Sequence, residues 1–119
     1  MDEQVKVCDR LAKELVFLTF SGKSAMNPSY PADDPHHLIP RSKTSTRHSL
    51  LNLLPLTRKE HSWSHENPRD FHNWLRVNQP DRYQFMKEFI FAPPPAIYDL
   101  DQVEAGLRDA LATLKGEDK

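Results

Sequence analysis

NLLPLTRKEHSWSHE, residues 52–66, changes character near its middle. Asn52 to Thr57 is mostly apolar and compatible with a short strand, and Pro55, which has no N–H to give to a ladder, restricts that strand to an edge or bulge position. Arg58 to Glu66 contains neither proline nor glycine. The spacing there predicts a helix on which His61 and His65, four residues apart, stack on one face. The rest of the chain is read outward from this strand that runs into an imidazole-bearing helix.

Upstream, DDPHHLIPRS, residues 33–42, supplies a second pair of imidazoles. A breaker-rich loop over residues 21–35 delivers the chain to His36 and His37, and the short apolar stretch from His37 to Pro40 predicts a first strand. Polar residues Arg41 to Ser49 predict a loop between the two strands. Neighbours on a strand point to opposite faces, so His36 and His37 are poorly placed to hold the same ion. Two imidazoles at i and i+4 on a helix, joined by a third from a strand, are a ligand set for a divalent cation. The remaining imidazole, titrating near neutrality, suits taking a proton from water.

The flanks predict helices. Val7, Cys8, Leu11, Leu15 and Leu18 recur at helical spacing over residues 3–20, which predicts an amphipathic packing helix, with Val16 to Phe20 also compatible with an extended end. Residues 69–77 (Phe71, Trp74, Leu75) and 81–91 (Tyr83, Phe85, Met86, Phe89, Ile90) predict two further helices with aromatic inner faces. Pro93 to Pro95 is a stiff joint. Asp101 to Glu104 resembles a capping box, and Val103, Leu107, Leu111 and Leu114 line a last helix, closed by Gly116, that docks on the domain or on a partner. The fold class expected is α+β and mostly helical, in one domain spanning 1–119. Its parts are an N-terminal helix and loop (1–32), a ββα unit (33–66), flanking helices (67–92) and a Pro-rich joint with a C-terminal helix (93–119).

Charge is uneven. The whole chain carries a formal net charge of −1, which argues against a bulk polycation, but residues 36–66 hold five basic side chains against two acidic ones. Residues 92–119 hold three basic and six acidic, so a phosphate-bearing partner is drawn to the middle of the chain. The single cysteine, Cys8, excludes an internal disulfide and a cysteine-rich zinc site, and suits a small buried apolar residue. No apolar run is long enough for a bilayer, and the acidic start is unlike a signal peptide, so a cytoplasmic location is expected.

The ordered set His36, His37, Asn52, His61 and His65 resembles the HNH endonucleases, whose ββα-metal (His-Me) finger is a two-stranded hairpin followed by one helix. The spacing is most similar to that of the nuclease colicins: an asparagine fifteen residues after the second histidine, a histidine nine further on and another four beyond. The likeness covers residues 33–66, and HHLIPRS and NLLPLTRKEH resemble the two strands of the wider family. Two departures stand out. Thr57-Arg-Lys-Glu-His61 replaces the Cys-x-x-Cys-His that holds a structural zinc in many relatives, and Ser42 to Thr46 replaces a frequent Gly-Gly after the first strand.

The resemblance implies hydrolysis of phosphodiester bonds in DNA, with a partly related set of roles. His37 is the general base that activates water, and Asn52 braces the loop and holds His37. His36, His61 and His65 ligate one divalent ion, which binds the scissile phosphate and supports the departing 3′ oxygen. Mg²⁺ or Mn²⁺ is expected for turnover, and Zn²⁺ or Ni²⁺ for tighter binding. Arg41, Lys43, Arg47, Arg58 and Lys59 are the candidate contacts to DNA phosphates, whereas His48 and His72 are expected at the surface or near phosphate. Competing readings are an RNase and a non-catalytic, metal-stabilised module of a larger nucleoprotein machine. A protein partner on the C-terminal helix and a homodimer are both compatible with the sequence; a membrane is not. By analogy, the setting is a bacterial or phage-infected cytoplasm.

Overall fold

A computed structural model describes residues 2–95 and 98–116; the acidic end at 117–119 lies outside them. The elements run α1 (Glu3–Thr19), β1 (Asp34–His37), a single 3-10 turn (Leu50–Asn52), β2 (Leu53–Leu56), α2 (Arg58–Glu66), α3 (Pro68–Asn78), α4 (Pro80–Phe89) and α5 (Leu100–Lys115). The architecture is a small, mostly helical α+β fold around a two-stranded antiparallel hairpin.

Each helix start has a local cause. Thr57 caps α2 in a reciprocal box: its hydroxyl accepts the Glu60 N–H at 3.1 Å, and the Glu60 carboxylate accepts the Thr57 N–H at 2.8 Å. Ser24 donates to the same carboxylate at 2.6 Å, which ties the loop before β1 to the helix. Pro68 and Pro80 open α3 and α4, where a missing N–H costs nothing. At the end of α5, Gly116 takes the left-handed conformation (φ 74°) that closes a helix cheaply only for glycine.

Strand β1 starts three residues earlier than the sequence predicts and ends at His37 rather than Pro40, with Pro35 inside it. The register explains how: Pro35 faces Pro55, and a pair without N–H groups fits only a non-hydrogen-bonded position of an antiparallel ladder. His36 then faces Leu54, and His37 faces Leu53. The helix start expected at Asp101 is corrected, because Asp99 is the N-cap and its carboxylate accepts the Asp101 N–H at 2.9 Å.

The hairpin separates two apolar cores. On one side Leu53 packs with Cys8, Leu11, Leu15 and Val16 of α1 and with Leu107 and Leu111 of α5. On the other, Leu54 and Leu56 join Ile39, Phe71, Leu75 and Met86. Each fully buried leucine contributes roughly 2 kcal/mol through the apolar surface it removes from water. His36, cross-strand from Leu54, therefore belongs to the α2–α3 side, and His37, cross-strand from Leu53, to the α1 side. Among the described residues no helix is long and apolar enough to cross a membrane.

Candidate functional site

Three imidazoles meet where β1 crosses α2. One nitrogen from each of His36, His61 and His65 lies within 4.8 Å of the other two. The His36 ring stands edge-on to His61 (centroids 4.8 Å apart), to His65 (5.2 Å) and to Phe71 of α3 (5.2 Å). His36 is 6% exposed, and its Nδ1 is buried without a hydrogen-bond partner among the described residues. An orphaned polar atom at that depth costs about 1–3 kcal/mol. Burial, reinforced by the neighbouring His61 and His65, pushes the His36 pKa down to about 3. The ring is therefore neutral, with lone-pair character available to a cation. Three imidazoles converging in this way fit a divalent metal ion.

Asp34 sits two residues before His36, hence on the same face of β1. Its Oδ2 lies 3.4 Å from His61 Nδ1, where a carboxylate can orient a ligating imidazole. The sequence reading passed over this carboxylate, although the D-x-H spacing on a strand was the signal for it.

His37 has a different environment. Burial first, then the Arg41 guanidinium, lowers its pKa to about 4, and the Asp9 carboxylate opposes the shift. The ring is therefore neutral near pH 7, and one of its nitrogens carries a lone pair. His37 and Arg41 line the same open cleft as the three-histidine cluster, a space of about 720 Å³. The pair at positions 36 and 37 thus divides, one ring in the cluster and one beside it.

No protein-family model, curated protein or solved structure matches this chain.

The loop between the strands is fixed from two sides. Asn52 is fully buried; its Oδ1 accepts the Ile39 N–H at 2.7 Å and its Nδ2 donates to the Ile39 carbonyl at 3.1 Å. From α1, the Asp9 carboxylate accepts two hydrogen bonds from Arg47, at 2.9 and 2.6 Å, and one from His48 Nε2 at 2.8 Å. Burial opposes ionisation of Asp9, but the Arg47 and His48 hydrogen bonds outweigh it and hold its pKa below the ordinary value. His48 is itself lowered by burial, so it is neutral: it donates from Nε2 to Asp9 and accepts at Nδ1 from the Tyr98 hydroxyl, 3.2 Å away. The surface position expected for His48 is corrected here. A half-buried carboxylate on α1 draws it inside, and sequence separation hid that partner.

The five cations named from the sequence part ways. Arg41 is exposed at the mouth of the cleft. Lys43 turns away and donates to the carbonyls of Ile90 and Ala92 at the end of α4. Arg47 is held by Asp9, its side chain only 11% exposed. Arg58 and Lys59 are exposed in the first turn of α2 but line neither cleft beside His37. His72 is exposed on α3 and lines the larger cleft.

Proposed function

We propose that this protein is a metal-dependent endonuclease of the HNH type that hydrolyses phosphodiester bonds in DNA. The observation that carries the reading is the split of the histidine pair: His36 closes a three-imidazole cluster with His61 and His65, and His37 faces the same cleft outside that cluster.

His36, His61 and His65 would hold one divalent ion, which when bound supplies charge neutralisation at a phosphate. The protein's own groups account for the rest. His37 is neutral near pH 7 and lines the cleft, and its unprotonated nitrogen accepts the proton of an attacking water. A phosphate entering the cleft raises the proton affinity of that ring, bringing a base of low pKa closer to its task. Arg41 at the cleft mouth offers a two-pronged contact to phosphate oxygens. Asn52 keeps the strand end that carries His37 in register through Ile39.

The test is nicking of a supercoiled plasmid, with a structured RNA in parallel, in EDTA and with Mg²⁺, Mn²⁺, Ni²⁺ or Zn²⁺. Nicking that requires an added ion supports the proposal. Tight metal binding with no cleavage of either substrate would leave a non-catalytic module, and cleavage of RNA alone would assign the site to an RNase.

A further inference from the structure

A second cleft, about 330 Å³, opens on the other side of β1, between the hairpin and α1. Arg10 and Lys13 of α1 line it together with His37, Arg41 and Arg47. His37 and Arg41 belong to both clefts, so a continuous surface leads from the three-histidine cluster, past His37, onto α1.

That surface is cationic by construction. Lys6, Arg10 and Lys13 are spaced four and three residues apart, which places them on one face of α1, and all three are exposed. The buried stripe of the same helix, Cys8, Leu11 and Leu15, points into the core. Among the described residues Asp9 is the one carboxylate lining the second cleft, and Arg47 and His48 already engage it. Arg10, Lys13 and Arg41 make no ion pair among the described residues. Unneutralised cations lining a concave surface attract an extended polyanion more strongly than the same charges scattered on a convex face.

We infer that Arg10 and Lys13, with Arg41, form a phosphate-binding ledge for the nucleic-acid backbone that flanks the bond to be cut. The inference rests on the endonuclease reading and adds an α1 subsite to it. The strand passes from the cluster across His37 and lays its next phosphates along α1. Both α1 side chains are exposed and outside the apolar core, so neutralising them leaves the fold intact.

The experiment is equilibrium binding of a short fluorescent DNA duplex in EDTA, where no metal-dependent step can intervene, at a series of salt concentrations. An RNA duplex of the same sequence runs beside it and shows which backbone the ledge prefers. The proteins are wild type, the double variant Arg10→Gln/Lys13→Gln, and Arg76→Gln as an exposed cation outside both clefts. Removing two phosphate contacts reduces the slope of log affinity against log salt by about 2, so wild type loses roughly tenfold more affinity than the double variant between about 50 and 200 mM salt. The Arg76 variant keeps the wild-type slope. An unchanged slope in the double variant, an equal change in both, or no binding by wild type overturns the ledge. If wild type nicks plasmid while the double variant keeps its slope, only the ledge fails. If the slope changes as stated but no ion yields nicking, only the hydrolytic reading fails.

Discussion

Asn52 serves as a strand partner for Ile39: its side-chain amide accepts that residue's N–H at 2.7 Å and donates to its carbonyl at 3.1 Å, one residue after Leu38 N–H reaches the Asn52 carbonyl at 2.9 Å. The ladder is thereby prolonged past His37 by a side chain. Asn52→Ala leaves two buried backbone groups at Ile39 unpaired and is expected to cost about 2–4 kcal/mol in denaturant unfolding. Asn52→Asp keeps the acceptor but sets a second carboxylate oxygen against the Ile39 carbonyl, so it should be no better than alanine. A wild-type midpoint in either variant would contradict this clamp.

Asp9 acts on His37 across the second cleft: its carboxylate raises the ring's proton affinity, and it fixes Arg47 beside that ring. Asp9→Asn removes charge-assisted hydrogen bonds to Arg47 and His48 and should lower stability by about 2 kcal/mol. Its nicking rate should fall while its affinity for Zn²⁺, measured by calorimetry, stays at the wild-type value. Loss of metal affinity would show instead that α1 supports the cluster.

The metal-free protein should weaken on mild acidification. At pH 7.5 the rings of His36, His37 and His48 are neutral in both folded and unfolded chains. Below the ordinary value near 6.5 the unfolded chain takes up protons that the folded chain, with all three pKa values lowered chiefly by burial, does not. Stability therefore falls as pH drops from about 6.5, and at pH 5 His36 alone accounts for roughly 2 kcal/mol. Urea unfolding in EDTA at pH 7.5 and pH 5 measures this. An equal or higher midpoint at pH 5 would mean that the imidazoles are already protonated in the fold.

Much of the frame was legible because its signals are local. A proline-free run from Arg58 to Glu66 and the i,i+4 histidines suffice for α2, and periodic leucines suffice for α1 and α5. The start of β1 was not legible, since Pro35 argues against a strand until Pro55 is seen to face it. Arg47 and His48 looked like solvated loop residues because their partner, Asp9, is almost forty positions away in the chain. For the same reason Arg10 and Lys13 read only as the polar side of a packing helix. Their proximity to His37 exists only once α1 lies against the hairpin.

The most direct test of the central claim, that the histidine pair divides its labour, is to measure metal affinity and plasmid nicking on the same preparations of wild type, His37→Ala and His61→Ala. The account predicts that His37→Ala binds Zn²⁺ about as tightly as wild type yet nicks at least 100-fold more slowly, in keeping with the loss of a general base, and that His61→Ala loses both properties. Equal losses of metal affinity in the two variants, or undiminished nicking by His37→Ala, would contradict it.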